Sequence, residues 1–371
     1  MNLTEIKRID TENMFELLSN YWNDLKVAVN NAKQSNAIFN IQNKKNNLSN
    51  CQIEILILGI GGSAMSGELL RSYLKYLIGT QKIKFNLVRG WDIPDDINEN
   101  TCVFVCSYSG NTDETLIALD TVEKFTKNII GITSGGKLAA KCKQNNYPIL
   151  EIPQGMMPRC AMSYSFFHLL FTLIRQGLIP ENAIQELNNS IDEICSEERK
   201  GFFDFSDIAD NTNVNNTNKN NQAIELAKLM FDKIPIIYTG QARMEAVNLR
   251  WKAQIQENAN QICFGNFFPE LNHNEINGWM FPTSQLNKFI FIAITDKNDS
   301  EKLNNSIKKS MNLLEEMGME VRNISTEAKY LLTRIYQLIC LADWLSFYLA
   351  ILNNVSPTPI PIIAKLKQHN G

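Results

Sequence analysis

The chain has 371 residues, of which 44% are hydrophobic and 20% are charged, and its formal net charge is -3. This length and composition indicate a folded, soluble protein with two cores, and they exclude a disordered or fibrous chain. Because the charge is small and negative, no basic surface attracts nucleic acid or anionic lipid, and we expect neither as a partner.

The N-terminal sequence MNLTEIKRIDTENMF contains acidic residues and lacks the apolar core of a signal peptide, which predicts a cytoplasmic location. The long apolar stretch from Tyr330 to Val355 includes Arg334 and Asp343, so it predicts a buried helix rather than a membrane span. The chain has 3 histidines and 8 scattered cysteines, with no C-x-x-C pair. We therefore expect reduced thiols and no metal site.

The first half of the chain predicts a helical segment followed by a doubly wound α/β domain. In residues 1–48, apolar side chains from Met14 to Leu25 recur at intervals of three and four, which is the spacing of a helix. After that segment, short apolar runs alternate with helical patterns, as in parallel strands joined by helices. The predicted strands are Ile53–Leu58, Phe85–Val88, Cys102–Cys106, Asn128–Thr133 and Ile149–Ile152, and the predicted helices include Ser66–Leu77 and Ala161–Arg175.

The second half repeats this scheme, with a long helix predicted from Ala242 to Gln256. The asparagine run DNTNVNNTNKNNQ, residues 210–222, has no periodicity and predicts a loop between the halves. We expect an α/β protein with two doubly wound, mostly parallel sheets. The predicted organisation is a helical segment over 1–48, a first domain over 49–180, a connection over 181–222 and a second domain over 223–371. The predicted strands of the second half are Ile234–Tyr238, Phe289–Ile294 and Glu320–Ile324.

The motif GIGGSAMSG, residues 59–67, lies between a predicted buried strand and a helix. Glycines there allow a tight turn with exposed backbone N–H groups, and the helix N-terminus adds partial positive charge, so the loop suits an anion. On this motif alone, two alternatives remain open. Gly59, Gly61 and Ala64 fit a variant of the dinucleotide-binding fingerprint, and a tight turn without a ligand can have the same sequence.

The motif CSYSGNTDET, residues 106–115, also follows a predicted strand and opens a helix. Ser107, Ser109 and Thr112 place three hydroxyls around Gly110, where helix N–H groups are unpaired, and this predicts a neutral phosphate cradle. The alternative is that Ser107 and Thr112 merely cap the helix. A nucleotide-binding oxidoreductase is disfavoured, because no acidic residue for the ribose stands at the end of the second strand.

Together these motifs resemble a known family. GGSAMSG followed by SYSGNTDET is similar to the sugar isomerase (SIS) domain, and PRCAMSY, residues 158–164, resembles the P-R-x-A signature of bifunctional phosphoglucose/phosphomannose isomerases. The resemblance implies two tandem SIS domains with the active site between them, no cofactor, and a homodimer whose active site is shared between subunits. It also implies interconversion of fructose 6-phosphate with glucose 6-phosphate and mannose 6-phosphate through a cis-enediol. The implied phosphate ligands are Gly62, Ser63, Ser107, Ser109 and Thr112.

An aldose-ketose isomerase needs a base that moves a proton between C2 and C1, and an acid/base that opens the sugar ring. The segments ENAN and PELNHNEI provide a carboxylate and an imidazole. The resemblance assigns proton transfer to Glu257, ring opening to His273 and stabilisation of the enediolate to Arg159. On the residues alone, Glu257 also fits a solvated helix position, His273 a loop histidine and Arg159 a surface salt bridge.

The C-terminal segment SPTPIPIIAKLK, residues 356–367, leads into a short predicted helix. The resemblance places one lysine near the sugar ring oxygen, and the spacing favours Lys365 over Lys367 without settling the choice. Both also fit exposed tail lysines. The resemblance marks Thr358 and Pro158 as specificity residues. A small threonine favours dual activity, because it leaves room for the C2–C3 rotation that mannose needs.

Two other functions remain open. A glucose-only isomerase resembles this chain but tends to carry glutamine where Thr358 stands. A non-catalytic SIS protein that binds sugar phosphates would keep the phosphate hydroxyls and lack the acid/base pair. The presence of both Glu257 and His273 therefore counts against it.

Overall fold

A computed structural model describes residues 1, 3–40, 53–78, 83–196 and 221–369. The chain divides into two compact units. Asn23–Asn189 form the central unit, and Met1–Trp22 together with Ser190–Gly371 form the terminal unit. The domain bounds stay a prediction, and most of the asparagine run lies outside the described residues.

The helices are numbered along the chain. They are α1 Leu3–Ile9, α2 Met14–Ser19, α3 Tyr21–Gln34, α4 Gly62–Ile78, α5 Asp113–Val122, α6 Gly136–Asn145, α7 Met162–Arg175, α8 Glu181–Cys195, α9 Gln222–Met230, α10 Glu245–Asn258, α11 Glu275–Gly278, α12 Glu301–Glu316, α13 Leu331–Leu352 and α14 Pro361–His369. The described residues also form short 3₁₀ turns at Pro158–Cys160, Glu270–His273 and Thr283–Lys288.

The central unit is built on a parallel sheet of five strands in the order β2-β1-β3-β4-β5. Strand β1 lies between two neighbours, and its Ile55 pairs with Phe85 on one side and Cys102 on the other. The strands at the centre are buried on both faces, which explains their continuous apolar sequences. The strands are β1 Ile53–Leu58, β2 Ile83–Val88, β3 Cys102–Cys106, β4 Ile129–Thr133 and β5 Ile149–Glu151.

The terminal unit holds a second parallel sheet, in the order β7-β6-β8-β9. This order is that of β2-β1-β3-β4 in the central unit, so β6 corresponds to β1 and β8 to β3. The predicted α/β class with two doubly wound parallel sheets is therefore confirmed. The strands are β6 Ile234–Gly240, β7 Phe264–Phe268, β8 Phe289–Ile294 and β9 Glu320–Ile324.

Helix α13 is the main core helix of the terminal unit. Its length and composition would suit a membrane span, but 89% of its most apolar window is buried, as the sequence predicts. Both charged side chains on it are paired inside the unit. Arg334 donates to both carboxylate oxygens of Asp296, and Asp343 accepts from Arg250 at 3.0 Å. A helix that is apolar on all sides needs such a buried position.

Candidate active site

The carboxyl ends of the central strands form one edge of the sheet. Strand order reverses at β1, which lies between β2 and β3, and the loops after β1 and β3 flank this reversal. In doubly wound sheets, ligands bind in the crevice that opens at such a point. The two glycine- and hydroxyl-rich motifs of the sequence are these two loops.

Gly62 opens helix α4 and touches the backbone of the 3₁₀ turn Pro158–Cys160. A Cβ atom at Gly62 would lie 3.0 Å from the carbonyl oxygen of Pro158 and 3.3 Å from Cα of Arg159. Such distances are closer than a side chain normally tolerates, so glycine allows the contact. The structure thus brings Gly62 and Ser63 together with Pro158 and Arg159 at the positive end of a helix.

The loop after β3 presents its hydroxyls at the start of helix α5. The Ser107 Oγ atom is buried and lies 2.9 Å from Oγ1 of Thr112, while Ser109 is exposed and accepts from the backbone N–H of Asn111. Thr112 occupies the N-cap position of α5, yet its side chain makes no capping hydrogen bond. Capping therefore does not account for the Thr112 hydroxyl.

A third loop, Ser134 and Gly135 between β4 and α6, supports the hydroxyl loop, and the sequence motifs above do not include it. Gly110 has φ of 67°, and a Cβ atom there would lie 1.9 Å from the carbonyl oxygen of Gly135. Leu138 N–H donates to the Gly110 carbonyl at 2.9 Å, and Ser134 N–H donates to the Tyr108 carbonyl at 3.0 Å. The signal was the glycine pair of TSGG after a predicted strand.

Arg159 lies in the 3₁₀ turn beside Gly62, and its side chain is buried, with 6% of the residue exposed. This burial disagrees with a solvated surface salt bridge. Pro158, its neighbour, is exposed. A buried guanidinium next to the loops of this edge provides a fixed positive charge.

Glu257 lies at the end of helix α10 in the terminal unit and is half-buried. Three neighbours on the same helix fix it to helix α13. Trp251 Nε1 donates to the Leu338 carbonyl at 2.9 Å, Gln254 Nε2 to the Asp343 carboxylate at 2.7 Å, and Asn258 Nδ2 to Ser346 Oγ at 2.9 Å. The Glu257 carboxylate is thus carried by a rigid helix end.

The end of α10 lies at the amino ends of the strands. Gln261 Nε2 donates at 2.7 Å to the carbonyl of Lys233, the residue that precedes β6. Asn353 Nδ2 donates at 3.0 Å to the carbonyl of Ala259, which brings the chain leading to Thr358 to the same edge. Thr358 is half-buried and Lys365, on α14, is exposed. The described side chains end at Leu366, so Lys367 is placed by its backbone alone.

His273 lies at the opposite edge of the same sheet. It ends the 3₁₀ turn that follows β7, and Gln241 N–H donates at 3.1 Å to the Phe268 carbonyl, where β6 and β7 both end. The imidazole is exposed, whereas Leu271 in the same turn is buried. Strand β7 has 5 residues. The helix end that carries Glu257 and the turn that carries His273 therefore lie at opposite ends of a strand that is roughly 15 Å long.

The comparisons with known proteins agree with the motifs. A family model, the bacterial phospho-glucose isomerase C-terminal SIS domain, matches residues 219–369. The chain is 33% identical over 316 residues to the bifunctional phosphoglucose/phosphomannose isomerase of Caldicellulosiruptor bescii, covering 85% of this chain and 88% of that protein. This chain belongs to the bifunctional phosphoglucose/phosphomannose isomerase family. The resemblance inferred from the three motifs is confirmed.

Relatives of this family also carry other names. The chain is 28% identical over 320 residues to the D-glucosamine-6-phosphate 4-epimerase of Sulfolobus acidocaldarius, covering 85% of this chain and 90% of that protein. Among solved structures, the C-terminal domain of glucosamine-fructose-6-phosphate aminotransferase from Francisella tularensis aligns with a TM-score of 0.65 and 12% identity. That alignment covers 93% of this chain and 98% of the other, and it shows the shared fold.

The candidate site residues described above provide hydroxyl, carboxylate and imidazole groups, which can bind a phosphate and transfer protons. Within residues 1, 3–40, 53–78, 83–196 and 221–369, no group of three or more His, Cys, Asp or Glu is arranged to hold a metal ion. Several of the cysteines in these ranges are buried. Burial raises the pKa of Cys106 to about 12, so this thiol beside the hydroxyl loop stays protonated.

Proposed function

We propose that the chain is an aldose-ketose isomerase that interconverts fructose 6-phosphate with glucose 6-phosphate and mannose 6-phosphate. The observation that carries this proposal is the hydroxyl pair of Ser107 and Thr112, held at a helix N-terminus without capping it. Such a site suits a phosphate group. Membership of the isomerase family supports the reaction, and the relatives point to hexose phosphates as substrates.

The proposed mechanism divides the chemistry among the candidate residues. Gly62, Ser63, Ser107, Ser109 and Thr112 bind the phosphate. His273 opens the ring by moving a proton between the ring oxygen and the anomeric hydroxyl.

The Glu257 carboxylate then takes the proton from C2 of the aldose and returns it to C1, while the hydroxyl proton moves from O2 to O1 in the enediol. Arg159 stabilises the negative oxygen in between. Lys365 or Lys367 lies near the ring oxygen, and no cofactor takes part. Mannose 6-phosphate forms when C2–C3 rotation exposes the other face of C2, for which Thr358 and Pro158 leave room.

We also propose that the enzyme is a cytoplasmic homodimer in which His273 of the partner subunit completes each active site. The support is the separation of roughly 15 Å between the two edges of one sheet, because both groups must reach one hexose. His273 is exposed and so accessible to a second copy.

Mixing two inactive variants tests the shared site. Glu257→Gln and His273→Ala each lack one group, and a dimer with one copy of each variant has one intact site. Co-refolding equal amounts should restore about a quarter of wild-type activity, because half of the dimers are mixed and each has one good site of two. Activity no greater than that of the separate variants would remove His273 from the partner's site.

Product analysis tests the reaction itself. The wild-type enzyme, given fructose 6-phosphate in ²H₂O, should release glucose 6-phosphate and mannose 6-phosphate that carry deuterium at C2. Glu257→Gln should reduce both products and proton exchange by about a hundred- to ten-thousand-fold. Glucose 6-phosphate alone would identify a glucose-only isomerase, and binding without turnover would identify a sugar-phosphate-binding protein. A C4 epimer would instead point to epimerase chemistry, which the name of the Sulfolobus relative describes for D-glucosamine 6-phosphate.

A further inference from the structure

Glu275 lies two residues after His273 and is held by two donors, one buried and one half-buried. Its carboxylate accepts from the hydroxyl of Tyr238 on strand β6 and from Nδ2 of Asn266 on strand β7. Tyr238 is fully buried, and its hydroxyl also accepts from Trp279 Nε1 at 2.9 Å. Burial and the neighbouring carboxylate raise the pKa of Tyr238, so its hydroxyl remains a donor.

The residues that precede His273 in the chain are also held in place. Asn272 Nδ2 donates to Ser306 Oγ at 2.9 Å, and Ser310 Oγ donates to Asn272 Oδ1 at 2.8 Å, which joins the turn to helix α12. Leu271, one residue earlier, is in the hydrophobic core of the terminal unit. The backbone that carries His273 is therefore held from both directions.

The imidazole itself differs from these anchors, because it is exposed. An exposed side chain on a turn has a position no better defined than its backbone. For a proton-transfer group this matters, since a displacement of about 1 Å can cost about a hundredfold in rate. The anchors on both sides supply the precision that the solvent-exposed ring lacks.

We propose that Glu275 is a positioning residue for His273, acting through its hydrogen bonds to Tyr238 and Asn266. This inference rests on the proposed function, in which His273 opens the sugar ring. Glu275 touches no substrate. It holds the turn in the geometry that delivers the imidazole to the ring oxygen.

Kinetics of two variants test the proposal. Glu275→Gln keeps the size of the side chain but places an amide NH₂ against one of two donors, so one hydrogen bond is lost. Turnover of cyclic hexose phosphates should fall about ten- to a hundredfold, with little change in KM. Proton exchange on an open-chain aldose phosphate should be retained. Tyr238→Phe keeps the ring packing, removes one donor and should give a smaller loss of the same kind.

A matched control is Tyr147→Phe. Tyr147 is also buried and hydrogen-bonded to a glutamate, Glu123, but in the central unit. It should leave the ratio of cyclic to open-chain turnover unchanged. An equal fall in this control and in Tyr238→Phe would overturn the proposal, because the loss would then follow from any buried tyrosine hydroxyl.

A double variant separates positioning from general damage. If Glu275 acts through His273, Glu275→Gln should slow the wild type but should not further slow His273→Ala. Multiplied effects in the double variant would show that Glu275 acts independently of the histidine. A His273→Ala variant with full turnover of cyclic substrates would instead contradict the ring-opening role, which belongs to the proposed function.

The position of the His273 ring can also be followed by NMR, without an activity measurement. The chain has 3 histidines, so [¹³C]histidine labelling gives few signals, and His273→Ala assigns one of them. Glu275→Gln should shift or broaden the His273 signal, while Tyr147→Phe should leave it in place. An unchanged His273 signal in Glu275→Gln would overturn the proposal even if turnover fell.

Discussion

The carboxyl edges of the two sheets are built from equivalent loops that present opposite chemistry. After β3, the loop carries Ser107, Ser109 and Thr112. After β8, which occupies the same place in its sheet, the loop carries Asp296 and Asp299 instead. One edge thus offers neutral donors to an anion, and the other offers carboxylates.

The helices that follow these two loops differ in whether a hydroxyl side chain caps their N-terminus. At the start of α12, the Ser300 hydroxyl accepts from the Leu303 N–H at 3.3 Å and so caps the helix. At the start of α5, the Thr112 hydroxyl is bonded to Ser107 and caps nothing. In the terminal unit, the Asp296 carboxylate is paired with the buried Arg334 and lies 3.7 Å from Arg243.

This difference in side chains indicates which of the two carboxyl edges suits ligand binding. Both sheets have the same strand order and the same kind of edge, so the fold alone does not decide. The edge of the terminal unit satisfies its polar groups with its own charges. The edge of the central unit has a helix N-terminus that the Thr112 hydroxyl does not cap, which suits the proposed binding of an outside anion.

The largest expected effect is a loss of stability at the carboxyl edge of the terminal unit's sheet, where Asp296 is paired with Arg334. Arg334→Met removes the bidentate partner of Asp296 and leaves a buried carboxylate, with Arg243 as a more distant cation. Breaking such a pair costs about 3 to 5 kcal/mol. Urea unfolding of the variant should show a loss of this size in the free energy of unfolding.

The matched control is Arg322→Met, which breaks an exposed pair with Glu320 in the same unit. Exposed pairs contribute about 0 to 1 kcal/mol, so the control should remain close to the wild type. If both variants lost the same stability, the Arg334–Asp296 pair would not be what satisfies this edge.

The next effect is at the phosphate cradle. Ser109→Ala combined with Thr112→Val should raise KM for fructose 6-phosphate at least about tenfold, because a hydrogen bond to a charged group contributes about 1.5 to 3 kcal/mol. The free energy of unfolding should change little, since Thr112 does not cap α5. Steady-state kinetics and urea unfolding on the same samples measure both quantities.

Ser300→Ala should have the opposite effects, lowering stability without changing KM, and so it serves as a control for the double variant. Loss of this cap should cost about 0.5 to 2 kcal/mol of stability and leave KM unchanged. An unchanged KM in the Ser109 and Thr112 double variant would mean that the phosphate binds elsewhere.

Sequence patterns predicted the buried strands well and an edge strand poorly. Strands β1, β3 and β8 have the bounds that their apolar runs predict, and the edge strand β9 also has its predicted bounds. Strand β7 was missed, because FGNFF contains glycine and asparagine and lies half-buried at the sheet edge. Helix α10 begins at Glu245 rather than at Ala242, since Ala242 has φ of 82°, which is incompatible with a helix.

The candidate site was predictable where its residues are contiguous. The loops after β1 and β3 are short motifs next to apolar runs, so composition and position identified them. The anchors of His273 were not predictable, because their partners are distant in sequence. Tyr238 and Glu275 are 37 residues apart, and Asn272 and Ser310 are 38 apart. Only the fold brings such pairs together.

The smallest expected effect is a pH dependence of stability, and it arises from a difference in how the two units bury ionisable groups. The terminal unit buries them as ion pairs, whereas the central unit buries His168 with its Nε2 bonded to the Glu151 carbonyl at 3.1 Å. Burial, with a contribution from Arg175, lowers the pKa of His168 to about 4. The imidazole is therefore neutral in the folded protein at pH values where it is protonated in the unfolded chain.

The sign of the pH dependence follows from this difference. An unfolded histidine takes up its proton near pH 6.5, so between about pH 6.5 and 4 the unfolded state binds more protons than the folded state. Stability is full above pH 6.5 and falls as the pH drops, by at most about 1.4 kcal/mol per pH unit. His168→Gln stays neutral throughout and should lose this dependence. Urea unfolding at pH 7 and pH 5 should show a wild-type decrease that exceeds that of the variant by about 1 to 2 kcal/mol. Equal decreases in the two proteins would mean that His168 is not the buried neutral group that distinguishes the central unit.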